Sequence, residues 1–151
     1  MGKTPAESIA FDYSDLRDLL LGSRHRLHTV LKASLPAAMQ VARFVVERAR
    51  LNAPILEGDL RSGLFSEVRV RGTAIELDFG GTAPHTLRRH EELYTLGPVS
   101  IMQPSTPEGG VGRKFFHRVL DFHHESIADR LVVSISAAMD GVESQNRKGG
   151  G

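Results

Sequence analysis

His117, Asp121 and His124 recur at i, i+4 and i+7 in the last apolar-patterned stretch of the chain, which places two imidazoles and a carboxylate on one face of a helix. That donor set could ligate a divalent metal, and a metal-dependent hydrolase would be built on His117 and His124. No HExxH accompanies them and no second ligand set stands out, so the preferred reading is the polar stripe of a helix whose other side is core. His90-Glu91 has the residue types of an acid–base pair, but neighbours on a regular helix or strand point apart, and no third group is identifiable. There is no nucleophile elbow, no recognisable triad order and no cysteine. No catalytic residue, metal site or cofactor site is therefore expected.

Phosphate-neutralising chemistry is present locally in Arg24, His25, Arg26, His28 and Lys32, and again in Arg88-Arg89-His90. Over all 151 residues, however, 19 Lys and Arg face 18 Asp and Glu, a net charge of +1. With few aromatics and no helix-turn-helix or RNP-like pattern, a dedicated regulatory nucleic-acid binder is not expected, and these clusters read as solvated faces. Gly80-Gly81-Thr82 and Gly109-Gly110-Val111-Gly112 lack the Gly-Lys-Ser/Thr or GxGxxG context of a phosphate cradle and read as turns. The length suits one domain. No apolar window of about 18 residues and no signal-peptide core occur, so neither membrane spanning nor secretion is expected.

The elements that must position these residues follow from periodicity. Residues 1–22 read as an N-terminal arm ending in a short helix, in which Ser14 caps Leu16, Leu19 and Leu20 before Gly22. From Ser23, apolar residues recur at three and four through Leu27, Val30, Leu31, Leu35, Ala38, Val41, Ala42, Val45 and Ala49, which predicts a long helix kinked or broken near Lys32–Ser34 by Pro36. Pro54 ends it at Asn52-Ala53, Gly58 supplies a turn, and Asp59 caps Leu60-Arg61-Ser62. Alternation over Leu64–Val70 and Ile75–Phe79 predicts a hairpin about Gly72-Thr73, pairing Val70 with Ile75, Val68 with Leu77, Arg69 with Glu76 and Glu67 with Asp78. Arg69, diagonal to Asp78, offsets the like charges of that last pair. His85–Tyr94 fits either a third strand or a helical turn. Residues 96–112 carry three prolines and four glycines and read as a long loop. A final helix over Arg113–Met139 follows, with Phe116, Val119, Leu120, His123, Ile127, Leu131, Ile135 and Ala138 on one stripe, and residues 142–151 read as a disordered tail. The sum is an α+β domain over residues 23–141: a long helix, a small antiparallel sheet and a long C-terminal helix packed on it.

The succession helix, Ala53-Pro54, Gly58-x-Leu60-Arg61-x-Gly63, strand resembles the AP-x-x-TG-x-LR-x-S signature of the tail-completion, or head-tail joining, proteins of long-tailed bacteriophages. His90-Glu91-Glu92 stands where that family carries an aromatic-and-acidic or "HE" segment, and Lys114-Phe115-Phe116 opens a Phe-rich closing helix as in the family. Roughly residues 30–140 are covered. Glu57 departs from the family's Thr, and Leu87-Arg88-Arg89 replaces its Tyr-Ala. The resemblance implies a structural virion protein made in the host cytoplasm: a neck component that assembles with itself into a closed ring, a hexamer as that family suggests, at the head-tail junction. DNA passes through the lumen of such a ring, so proximity to it would be non-specific. The implied partners are a head-side connector or stopper and a tail terminator or tail-tube protein; a tail terminator or another tail morphogenesis protein is the alternative identity. Within the subunit, Pro54, Gly58, Leu60 and Arg61 are expected to fix the helix-to-strand connection, with Arg61 bonding a carboxylate such as Glu91. Interface contacts are expected from Pro98, Ile101, Met102 and Pro104 in the loop, from Arg69 and Glu76 on the charged hairpin face, from Arg88, Arg89, His90 and Glu91, and from the final helix.

Overall fold

Buried positions recur along the first long helix at the spacing its sequence dictates: Leu27, Val30, Leu31, Ala38, Val41, Ala42, Val45 and Ala49 are all inaccessible. A computed structural model of the chain describes residues 4–12, 24–55 and 59–148. In chain order it contains β1 (Thr4–Asp12), α1 (Arg24–Asn52), α2 (Asp59–Ser62), β2 (Leu64–Arg71), β3 (Ala74–Gly81), α3 (Thr86–Glu91), α4 (Pro98–Ile101) and α5 (Phe115–Lys148). The architecture is the expected α+β one, a three-stranded antiparallel sheet in the order β1-β3-β2 with two long helices packed against it.

The hairpin has the predicted register, with Val70 opposite Ile75, Val68 opposite Leu77, Arg69 opposite Glu76 and Glu67 opposite Asp78. Gly72 takes a φ of 59° in its two-residue turn, a conformation other residues enter only with strain. Ile75, Leu77 and Phe79 alternate along β3 onto the helix-covered face, and all are fully buried. The same core takes in Phe115, Phe116, Val119, Ile127, Leu131 and Ile135 of α5, with the Phe116 ring 5.5 Å from that of Phe79. Burying each such side chain contributes about 1.5–3 kcal/mol before conformational entropy is counted. Asn52 at the end of α1 meets Gly112 just before α5, and Phe44 meets His123 within it, so the two long helices run antiparallel.

Four expectations are corrected or narrowed. Residues 4–12 of the expected arm form a strand that pairs antiparallel with β3, Ile9 opposite Leu77, with an irregularity between Pro5 and Glu7. The pattern there is too polar to betray a strand that borrows its apolar partners from β3. Of the two outcomes expected near Lys32–Ser34, a kink or a break, the break does not occur, since α1 runs uninterrupted from Arg24 to Asn52. Pro36 sits on the exposed side, one turn after the exposed Lys32 whose carbonyl it leaves without a helical donor, and the buried Ser34 hydroxyl donates to the Val30 carbonyl at 2.9 Å. The final helix does not stop at Met139 but continues to Lys148, so residues 142–148 are helical rather than a disordered tail. Residues 96–112 are not a plain loop, since they hold α4 and a tight turn closed by paired backbone bonds between Thr106 and Gly109. His85–Tyr94, left open between strand and helix, contains α3. The short helix expected at Ser14–Gly22, the turn at Gly58 and residues 149–151 lie outside the described residues. Among the described residues no helix is long and apolar enough to cross a membrane.

Candidate functional site

The segment between α3 and α5 is anchored by one carboxylate. Glu108 is the third residue of the Thr106–Gly109 turn, and its side chain is wholly buried. Arg48 of α1 donates from Nε and Nη2 to its two oxygens, both at 2.7 Å, while His123 of α5 lies at 2.6 Å through Nε2. The fork-shaped guanidinium and the carboxylate match in plane and spacing, which is the strong form of an ion pair. Arg48 foremost, and His123 after it, hold the Glu108 carboxyl well below the usual carboxylate range against the opposing effect of burial. As an ionised carboxylate accepts only, the His123 Nε2 carries the proton of that bond. Around this centre, Thr106 Oγ1 donates to Asn52 Oδ1 at 2.6 Å, Gly112 N–H donates to the Asn52 carbonyl at 2.9 Å, and Ile55 N–H donates to Ser100 Oγ at 3.0 Å. The long loop is therefore fastened to the C-terminal end of α1 at several points.

That fastening displays apolar side chains outward. Ile101 is 66% exposed, Met102 82%, Val99 57% and Leu93 81%, and Pro98 and Pro104 are exposed beside them. A second exposed apolar group, Phe122, Val132 and Val133, lies on α5. The hairpin's charged face carries a network in which Arg69 bridges Glu76 at 2.9 Å and Asp78 at 2.5 Å, so the diagonal compensation expected from sequence is present. Arg69 remains half exposed, whereas the Glu76 side chain is largely covered.

The helix-to-strand connection is built differently from expectation in one respect. Pro54 and Leu60 are buried, but Arg61 does not reach Glu91. Its Nε donates to the Ala53 carbonyl at 2.8 Å and its Nη2 approaches the Leu51 carbonyl at 3.4 Å. Arg61 thus satisfies carbonyls that the end of α1 leaves without helical donors, where the helix dipole also favours a cation. Arg50 completes the joint by donating to the Arg61 and Leu64 carbonyls, both at 3.1 Å.

Glu91 instead bridges His90 and Lys114. His90 Nδ1 lies 2.6 Å from Glu91 Oε1, so these neighbours do not point apart as a regular helix would require; they sit at the C-terminal end of α3, where the helix is ending. Lys114 forms an ion pair with Glu91 and is the leading cause of its lowered pKa. Lys114 also takes a φ of 58°, a strained choice for a residue with a Cβ, and is held there by a 2.7 Å bond from its N–H to the His90 carbonyl. His90, expected at an interface, is fully buried and lies edge-on to Phe115 at 4.8 Å. The His-Glu pair fastens α3 to the start of α5.

His117 and Asp121 do lie together, Nε2 to Oδ2 at 3.2 Å, and with His124 they line an open groove of about 420 Å³ that also includes Ile9. Among the described residues no group of three or more His, Cys, Asp or Glu is placed to hold a metal ion. Of the basic cluster, His28 and Lys32 are exposed, and the side chains of Arg24, His25 and Arg26 lie outside those described. Arg88 is exposed and paired with Glu92 at 2.8 Å, and Arg89 lies over the Tyr94 ring at 4.8 Å.

Sequence reasoning missed Glu108, Ser100, Asn52 and Lys114. The Thr-Pro-Glu-Gly-Gly turn signal was available, but its partners on α1 and α5 are remote in sequence and carry no local mark. Comparison with protein-family models, with curated proteins and with solved structures finds no match to this chain.

Proposed function

We propose that the protein is a structural subunit of a bacteriophage neck, a tail-completion component that assembles with copies of itself into a closed ring at the head-tail junction. The motif resemblance over residues 53–63 and 90–92 supplies the family, and the α+β architecture accords with it. The observation that carries the reading is the presentation of Val99, Ile101 and Met102 on a segment fastened to the core through Glu108. A segment already ordered before contact has little conformational entropy left to lose on association, so its apolar area counts more fully toward binding. The strands β1 and β2 are the edges of the sheet, which offers further pairing surface. A ring arises when one such patch meets a different patch on the next copy and the rotation closes. The copies would enclose a lumen of mixed charge, in keeping with a net charge of +1 and a duplex that must pass without being held.

The test is the double substitution Ile101→Asp with Met102→Asp. Both side chains are exposed, so the isolated chain should unfold within about 0.5 kcal/mol of wild type. Assemblies of the full chain, alone or with neck and tail-tube proteins, should be lost in sedimentation velocity. Unchanged assemblies would remove this segment from the interface.

A further inference from the structure

The two long helices turn faces of opposite charge to solvent. Along α5, Glu125, Asp129, Asp140 and Glu143 recur at the spacing that stacks residues on one side of a helix, and all are exposed. Phe122, Val132 and Val133 stand exposed among them. The cations of this stretch lie elsewhere: Arg130 turns to the Phe44 ring of α1 at 5.7 Å, and Arg147 and Lys148 come only in the last turn. On α1, His28, Lys32, Met39 and Arg43 are exposed on one side, and the neighbouring acid, Glu47, is already neutralised by Arg50 at 2.6 Å. Phe44 and Arg48 mark the flank of α1 that meets α5, through His123 and through Glu108, and helical spacing turns His28, Lys32, Met39 and Arg43 away from that flank. Among the described residues, none of Lys32, Arg43, Glu125, Asp129, Asp140 and Glu143 has an ion-pair partner.

We propose that the outer face of α5 in one copy docks on the outer face of α1 in the next copy. The carboxylates of the first meet Lys32 and Arg43 of the second, with Phe122, Val132 and Met39 among them as the apolar part of the contact. This inference rests on the ring reading and deepens it by naming the two faces that meet. Charge disfavours the simpler pairings, because two α5 faces would set carboxylate against carboxylate and two α1 faces cation against cation. A contact between unlike faces is heterologous: each copy keeps one face of each kind for its next neighbour, which a ring requires and a two-fold dimer does not supply. The heights agree as well. Phe44 lies beside His123, so Arg43 stands within one turn of Glu125 along the helix axes. Counting sixteen residues back from Phe44 and sixteen on from His123 brings His28 level with Met139, next to Asp140. Copies related by rotation about an axis along the helices keep these heights, so unlike charges come level between neighbours too.

The test is charge reversal across the contact in the full chain, followed by sedimentation velocity alone and with neck and tail-tube proteins. Arg43→Glu and Glu125→Arg should each weaken assembly at least about tenfold by setting like charges together. The chain carrying both reversals should recover most of the wild-type assembly, since the pair is restored with its signs exchanged. Both side chains are exposed and without ion-pair partners in the isolated chain, so the thermal midpoint of each unassembled variant should match wild type, which separates lost association from lost folding. Wild-type assembly that neither reversal weakens, or that the double reversal fails to recover, overturns this contact while leaving the ring in place. A wild-type chain that stays monomeric in both conditions overturns the ring reading and the contact with it.

Discussion

At the residue scale, the side chain with most consequence is Glu108, because it joins α1, α5 and the intervening loop through one carboxylate. Glu108→Ala removes the acceptor of Arg48 and His123, and since Arg48 keeps partial access to water it should destabilise the fold by about 1–3 kcal/mol at neutral pH, measured as a lower urea midpoint. The pH dependence follows from the direction of its shift. A carboxyl held below its unfolded value of about 4.3 contributes stability that is fully present above that pH and is lost as pH falls through and below it. Wild type should therefore lose stability between about pH 5 and pH 3 more steeply than Glu108→Gln, whose amide does not titrate. Parallel slopes for the two proteins would show that Glu108 is not held ionised by Arg48 and His123.

At the scale of elements, two junctions make opposite predictions. Pro36 interrupts the hydrogen-bond ladder of α1 on an exposed turn, so Pro36→Ala restores a donor to the Lys32 carbonyl and should stabilise the chain by about 1–3 kcal/mol, seen as a higher thermal midpoint. Gly81, where β3 ends, has no space for a side chain: an added Cβ would stand 2.4 Å from Thr86 Oγ1 and 2.9 Å from Thr86 Cβ. Thr86 is buried and its hydroxyl donates to the Ala83 carbonyl at 2.8 Å, so it cannot easily yield. Gly81→Ala should cost about 1–3 kcal/mol, and Thr86→Ala in the same chain should recover part of that loss. These junctions also show what could be read without a structure. The hairpin register was legible because period-two alternation and a Gly-Thr turn fix both pairing and face, down to the Arg69 bridge to Asp78. The two long helices were legible from their apolar spacing, but spacing alone left open whether Pro36 breaks α1 or is carried within it, which depends on which side of the helix meets solvent. β1 was hidden because its partner strand supplies the apolar side, and Glu108 because its partners at 48 and 123 are distant in sequence. Of the candidate contacts, Ile101 and Met102 are exposed, whereas His90, which the sequence offered on the same footing, is buried beside Phe115.

At the scale of the whole molecule, α5 is the dominating dimension. Its 34 residues span about 51 Å at 1.5 Å per residue, while its fully buried positions end at Ile135. The turns beyond carry Ala138, Met139 and Val142 against the core, and Glu143, Ser144, Gln145, Arg147 and Lys148 after them are exposed, so the last turn of the helix runs past the core. With Phe122, Val132 and Val133 exposed along it and the Ile101-Met102 segment displayed by the loop, apolar side chains are exposed on two elements of the subunit. A heterologous contact repeated around an axis joins one patch of a subunit to a different patch of the next. The most direct test is the mass of the full chain in solution by light scattering, alone and mixed with neck and tail-tube proteins. The account predicts a discrete closed oligomer in one or both conditions, with a mass that stays constant as concentration rises once assembly is complete. A monomer that persists at high concentration and ignores those partners would contradict it.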